Sequence, residues 1–303
     1  MQFGWTADKA ASFAIMDTAV SLGCNFFDTA DVYSRWVEGN PGGVSETIIG
    51  EWLAQGNGRR DQIIIATKAR GAMGDGPNDK GLSRHHLMHA VEASLRRLQT
   101  DFIDLYQVHS PDAETPLEET LRALDDLLRA GKVRYIGCSN YPAWLLMKSL
   151  WISDAHNLAR FDSLQPHYSL VHRPEFEREL LPLCLDQGVG VIPYSPLARG
   201  FLTGKYRRDT PLPASARAGG IRDIYMNERG FAAVDKLETI AQAHDATIAQ
   251  VAIAWLLANP AVSSAIIGAN TIEQLTETMQ GAAVQLTAAE KAELDAVTAW
   301  NEK

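Results

Sequence analysis

The feature that most constrains this chain is an alternation. Short runs rich in β-formers recur along it, with helical patterns between them: Asn25–Ala30, Gln62–Lys68, Phe102–His109, Val133–Asn140, Ser163–Tyr168, Val189–Pro196 and Ala265–Ala269. Stretches such as Ile63-Ile64-Ile65-Ala66 and Gly190-Val191-Ile192 have no polar face, which is how a strand covered on both sides of a parallel sheet reads. Ser83–Leu98 opens on a Ser cap and sets Leu87, Val91, Leu95 and Leu98 on one stripe. Pro116–Ala130 begins with Pro and stops at Gly131, and Thr247–Ala258 and Thr287–Trp300 read as further helices. Repeated βα units fold as a doubly wound open sheet or as a closed barrel. The Gly-x-Gly-x-x-Gly that opens a dinucleotide-binding open sheet is missing from the sequence. Polar residues instead end strand after strand: Asp28, Lys68, His109, Ser139-Asn140, Gln165 and Tyr194-Ser195. Such convergence is what the top face of a (β/α)8 TIM barrel provides. The expectation is an α/β chain forming one barrel domain over residues 1–303.

Composition narrows the partners. Of 303 residues 46% are hydrophobic, ample for a packed core. The formal net charge of -9 argues against nucleic acid or an anionic membrane reached through bulk charge. The sequence has no run of about 18 apolar residues and no basic-then-apolar leader after Met1. Cys24, Cys138 and Cys184 are odd in number and far apart, the pattern of reduced thiols in a cytoplasmic protein. No metal site is expected, because His85, His86 and His89 fall on an outer helix and not at strand ends. The expected partner is a small molecule.

Four residues together suggest chemistry. Asp28 and Lys68 end strands, His109 ends a third, and Tyr33 follows Asp28 in a loop. A phenol with its usual pKa of about 10 is a poor acid at neutral pH. A nearby ammonium lowers that pKa, so Lys68 is expected to make Tyr33 a better acid. Asp28 would hold Lys68 charged, and His109 would donate to a carbonyl oxygen. Protonating that oxygen while a hydride reaches its carbon is carbonyl reduction. No side chain supplies a hydride, so a cofactor must.

These residues carry a resemblance. Asp28-Thr29-Ala30-Asp31-Val32-Tyr33, then Lys68, then Gln107-Val108-His109 resemble the Asp/Tyr/Lys/His tetrad of the aldo-keto reductases. Gly137-Cys138-Ser139-Asn140, with Gln165, resembles that family's nicotinamide-carboxamide motif. The stretch from Tyr194-Ser195-Pro196-Leu197 to Lys205-Tyr206 resembles its pyrophosphate loop, and Ile267-Gly268-Ala269-Asn270 to Gln274-Leu275 its adenosine-end segment. The matches run in order from Met1 to about Gly281. The resemblance implies an oxidoreductase reducing small aldehydes or ketones, with Tyr33 as general acid, tuned by Lys68 and Asp28, and His109 orienting the carbonyl. It implies cofactor contacts from Ser139, Asn140 and Gln165 to the carboxamide and from Tyr194 to the nicotinamide ring. Ser195, Leu197, Gly200, Leu202 and Lys205 are implied at the pyrophosphate, and Gly268, Asn270 and Gln274 at the adenosine.

The family implies NADP(H). A basic residue that often meets its 2′-phosphate is missing, since Asn270, Thr271 and Gln274 are neutral, and NAD(H) stands as the alternative. Glu277-Thr278 replaces the family's Glu-Asn pair, and Ser110 replaces a frequent Trp after the His. The resemblance also extends to ion-channel accessory subunits, so a cofactor-binding redox sensor with little turnover is the rival reading. Asp31–Ser45, which carries Trp36, is expected to form one pocket wall. Arg207–Asn227, rich in Pro and Gly, reads as a long loop whose Arg208, Arg217 and Arg222 could meet phosphates or an acidic substrate. Finally, only seven strands are countable, and Met1–Trp5 resembles the segment after the family's first strand. The expectation is therefore a barrel whose first strand would lie upstream of Met1, leaving Asn25–Ala30 and Ala265–Ala269 as unpaired edges.

Overall fold

A computed structural model describes residues 1–208, 210–213 and 219–300. The chain divides into two compact units, Met1–Gln165 with Gly268–Leu275, and Pro166–Ile267 with Thr276–Lys303.

The first unit is built on a parallel sheet in chain order: β1 (Phe26–Asp28), β2 (Ile64–Ala69), β3 (Ile103–Val108), β4 (Val133–Ser139) and β5 (Ser163–Gln165). Helices connect the strands, as parallel neighbours require. Arg84–Leu98 starts where the sequence places it, with the Ser83 hydroxyl accepting from the His86 amide at 3.2 Å. Leu87, Val91, Leu95 and Leu98 are all buried. Leu117–Arg129 buries Leu121, Leu124 and Leu127 in the same way. The register then fixes the site: Lys68 pairs with Gln107, Gln107 with Gly137, and Ser139 with Gln165. Paired residues project to the same face of a sheet. A Cβ on Gly137 would stand 2.4 Å from Ser163 Oγ and 3.3 Å from Gln107 Cγ, so glycine makes the room that the Gln107 side chain uses.

In the second unit β6 is only Gly190–Val191, although Val189–Pro196 reads as a full strand. Pro193 and Pro196 have no N–H to give to a ladder. Val191 bridges Val262, and Tyr194 bridges His167 and Ile266. Ala265–Ala269, expected as a seventh strand, contributes only that single Ile266 bridge, so six strands form among the described residues. Ile248–Leu257 and Ala288–Val297 each open on a capping box, Thr247 with Gln250 and Thr287 with Glu290.

The expectations for Arg207–Asn227 change. Arg207–Asn227 is not all loop: Gly219–Tyr225 is helical, and burying Ile221 and Tyr225 one turn apart gives it the inner face the Gly/Pro content hid. Arg208 pairs with Asp235 at 2.8 Å and is not held for a ligand, and Arg217 lies outside the described residues. Met1–Ala7 runs as turns with a lone Phe3–Ala7 bridge, and among the described residues no strand covers the outer edge of β1. No described helix is long and apolar enough to cross a membrane.

Candidate active site

The four chemical residues meet in the first unit. Lys68, fully buried on β2, donates from Nζ to Asp28 Oδ1 at 2.5 Å, to the Thr29 carbonyl at 2.9 Å and to Tyr33 Oη at 3.2 Å. Those three contacts use all three ammonium hydrogens. Asp28 Oδ2 accepts from Gln107 Nε2 at 3.2 Å and Gln165 Nε2 at 2.9 Å. Both carboxylate oxygens are therefore engaged in a place where an unpaired charge would be costly. The His109 ring lies edge-on to Tyr33, centroids 5.7 Å apart.

Burial lowers the His109 pKa to about 4, reinforced by the Lys68 charge, so at neutral pH the ring is neutral, with one donor and one acceptor nitrogen. Burial alone would lower the Lys68 pKa, but Asp28 and Tyr33 outweigh it and raise the ammonium above its usual value. The expectation for Tyr33 is corrected. Lys68 does pull the phenol down, but burial is the larger effect, Asp28 adds to it, and the net direction is up. Tyr33 therefore holds its proton. Since Lys68 can only donate to Oη, the phenol hydrogen is left to point elsewhere.

The expected carboxamide-binding residues also come together. Ser139 Oγ donates to the Gln165 carbonyl at 2.8 Å, and Asn140 Nδ2 donates to Ser139 Oγ at 3.0 Å and to the His109 carbonyl at 2.9 Å. Asn140 sits at φ 59°, a left-handed position Asn tolerates better than most residues, and this turns its amide back over the ends of β3 and β4. In the same unit Asn270 Oδ1 accepts from the Thr6 hydroxyl at 2.6 Å, the Asn270 main-chain N–H donates to Gln274 Oε1 at 3.0 Å, and a Cβ on Gly268 would collide with Gln2.

The second unit carries the remaining expected residues. Tyr194 stacks on His167, centroids 5.1 Å apart and 9° from parallel. Ser195, Ala198, Arg199 and Gly200 all have positive φ, and the turn is closed by the Ala198 amide donating to the Ser195 carbonyl. Lys205 Nζ lies 3.2 Å from where a Gly200 Cβ would be. Leu197 begins this turn, its carbonyl accepting from the Gly200 and Leu202 amides, while the Leu202 side chain is buried in the core.

Sequence reading missed three contributors. Gln107 was visible only as a neighbour of His109, and Gln165 only as a cofactor contact, yet both brace Asp28. Asp31 is fully buried; its Oδ1 accepts from the Val32 amide at 2.6 Å, and Oδ2 has no hydrogen-bond partner among the described residues. Burial, then the nearby Glu46, raises its pKa to about 8. Glu46 in turn accepts from Thr67 at 2.6 Å and Arg97 at 2.7 Å. The only signal would have been Asp31, three residues after Asp28, which the sequence cannot distinguish from a solvated loop residue.

The profile of the aldo/keto reductase family matches residues 1–299. The chain belongs to the aldo/keto reductase family. It is 39% identical to an uncharacterized oxidoreductase of Bacillus subtilis, covering 94% of this chain and 86% of that one. It is 36% identical to versiconal hemiacetal acetate reductase of Aspergillus parasiticus, over 94% of this chain and 85% of the relative. It is also 37% identical to a probable voltage-gated potassium channel subunit beta of Arabidopsis thaliana, over 92% and 84%. This aldo/keto reductase is accordingly an oxidoreductase.

Proposed function

We propose that this aldo/keto reductase is an NAD(P)H-dependent carbonyl reductase of the (β/α)8 type acting on small aldehydes or ketones. The observation that carries the reading is Lys68 Nζ, held at once by Asp28 Oδ1 at 2.5 Å and Tyr33 Oη at 3.2 Å. Tyr33 gives its proton to the carbonyl oxygen. Lys68 steadies the phenolate that remains, and Asp28, held by two glutamines, keeps Lys68 fixed. His109, neutral, donates to the same oxygen and orients the carbonyl. Proton transfer of this kind contributes about 10²–10⁴ in rate.

The residues fit a nicotinamide dinucleotide. Gln107 Oε1 is a buried acceptor without a partner among the described residues, beside the hydroxyl and amide groups of Ser139, Asn140 and Gln165. That donor and acceptor mix suits a carboxamide. The Ser195–Gly200 turn, with the Lys205 ammonium close over Gly200, suits a pyrophosphate through the lysine charge. When bound, the cofactor supplies the hydride. In the first unit Ser139, Asn140 and Gln165 would hold its nicotinamide end; Tyr194, in the second unit, is assigned to the ring on the family resemblance alone. Ser195, Leu197, Gly200, Leu202 and Lys205 would hold the phosphates, and Gly268, Asn270 and Gln274 the adenosine end. NADP(H) is the first choice and NAD(H) the second, because Asn270 and Gln274 are neutral and engaged with Thr6 and each other.

The test is turnover of an aldehyde panel with NADPH and with NADH, using wild type and Tyr33→Phe. Substantial turnover lost in the variant, with cofactor affinity kept within a few-fold, supports the reading. Cofactor binding without turnover on any carbonyl would favour the accessory-subunit reading suggested by the channel-subunit relative.

A further inference from the structure

The Tyr33 ring does not end the aromatic surface of the site. Trp36 stands edge-on to it with centroids 6.1 Å apart, and Trp5 stands edge-on to Trp36 at 5.6 Å. His109 also stands edge-on to Tyr33, so four rings are linked by successive contacts within the first unit. Trp36 remains 47% exposed. An open indole in a mobile loop would be unremarkable, but this one is fastened. Ser34 turns the chain at φ 71°, and its hydroxyl donates to the Phe3 carbonyl at 2.7 Å. Asn40 Nδ2 donates to the carbonyls of Gly4 and Ser34, both at 3.1 Å. The Arg35 guanidinium is committed to the Ala72 carbonyl. The segments carrying the two indoles are thus tied to each other, and the tie holds apolar surface beside the proton donor in place of burying it in the core.

We propose that Trp5 and Trp36 are specificity-determining residues of this site, and that they select a carbonyl borne on a flat aromatic system of two or more fused rings. This rests on Tyr33 as the proton donor. Two ring-to-ring steps lead outward from Tyr33, so a second fused ring still finds an aromatic neighbour. A short aliphatic chain ends before reaching it. Aromatic rings attract each other edge-to-face and offset-stacked at centroid separations of about 4.5–7 Å, the spacing these indoles already keep. The ring surfaces of the wall are uncharged: the Arg35 guanidinium of the same loop is directed to the Ala72 carbonyl, and His109 is neutral at pH 7. The fit is to an uncharged π-surface rather than to a phosphorylated sugar or an acid.

The experiment compares kcat/KM for 2-naphthaldehyde with that for propanal, in wild type and in Trp36→Ala, Trp5→Ala and Trp36→Phe. Thermal unfolding of each variant serves as the check on folding. The selectivity ratio is expected to fall by about tenfold or more in Trp36→Ala, by less in Trp5→Ala, with the loss mainly in KM, and to be largely restored in Trp36→Phe. A ratio within twofold of wild type in both alanine variants overturns the proposal. So does a Trp36→Phe variant no better than Trp36→Ala. Calorimetric binding of 2-acetonaphthone, an unreduced ligand in the absence of cofactor, supplies a reading independent of turnover. If neither aldehyde is reduced with either cofactor, the carbonyl-reductase reading fails by itself. The aromatic wall is then judged on this binding, supported by about tenfold weaker binding to Trp36→Ala and overturned by equal affinity.

Discussion

Replacing Lys68 with Met tests the centre of the site through stability as well as rate. The ammonium is 0% exposed and the Asp28 side chain 4% exposed, so neither charge is hydrated. Removing one member of a buried pair costs about 3–5 kcal/mol, because the other is left uncompensated. Gln107 and Gln165 still donate to Asp28 Oδ2, which places Lys68→Met toward the lower half of that range. Asp28→Asn leaves the ammonium with Thr29 and Tyr33, and a loss of about 2–4 kcal/mol is expected. The double variant removes both charges and should lose less than the two singles together, with a coupling of roughly 2 kcal/mol. Urea unfolding of the four proteins measures this. Additivity within about 0.5 kcal/mol would falsify the buried pair as described. Lys68 is also the main influence pulling the Tyr33 pKa down, so Lys68→Met should slow carbonyl reduction in step.

Three further outcomes follow from single positions. Tyr33→Phe is expected to cut reduction by about 10²–10⁴ while unfolding at nearly the wild-type urea midpoint, since the phenol hydroxyl is one acceptor among three for Lys68. Asp31 keeps its proton up to about pH 8 when folded and releases it near 3.8 when unfolded. Folding takes up a proton between those values, so stability falls as pH rises through that window, at up to about 1.4 kcal/mol per pH unit. Asp31→Asn should flatten this slope between pH 4 and 8, and an unchanged slope in urea unfolding across that range would place the titration elsewhere. Gly137→Ala drives a Cβ to 2.4 Å from Ser163 Oγ and 3.1 Å from its carbonyl, costing about 1–3 kcal/mol. Adding Ser163→Ala should recover part of the loss in the same assay.

The site was more legible than the fold around it, for a physical reason. Asp28, Lys68, His109, Ser139 and Gln165 end parallel strands, and adjacent strand ends in a parallel sheet are neighbours in space, so their convergence follows once the βα alternation is read. Helix starts were equally plain where a cap is local, as at Ser83, Thr247 and Thr287. Illegible was anything set by a distant partner. The Gly219–Tyr225 helix is stabilised by burying Ile221 and Tyr225, not by its own propensity. The Ala265–Ala269 run has the composition of a strand but finds one bridge, because pairing depends on a neighbour interrupted by two prolines. The net direction of the Tyr33 pKa belongs to the same class: spacing revealed the ammonium, but only packing revealed how much water the phenol loses.

That direction leads to a prediction about which way the reaction runs. Reduction needs Tyr33 protonated at the start of the step, and alcohol oxidation needs it ionised. Burial and Asp28 raise the phenol above its usual pKa of 10.0 against the pull of Lys68. His109, with its pKa near 4, is neutral throughout the range from pH 6 to 9 and adds no positive charge that would favour the phenolate. Asp31 becomes anionic only near pH 8, and its charge then opposes phenolate formation further. Among these neighbours only Lys68 therefore favours the phenolate. The reduction rate should be nearly level from pH 6 to 9. Oxidation of the matching alcohol should climb by close to tenfold per pH unit through pH 9 and still be rising at 10, because the ionised fraction of a weak acid grows tenfold per unit below its pKa. Initial rates in both directions, with one carbonyl–alcohol pair and saturating cofactor, decide the matter. A plateau in oxidation reached by pH 8 would mean that the phenol ionises two units below its free value, that Lys68 outweighs burial, and that the ordering of these effects given above is wrong.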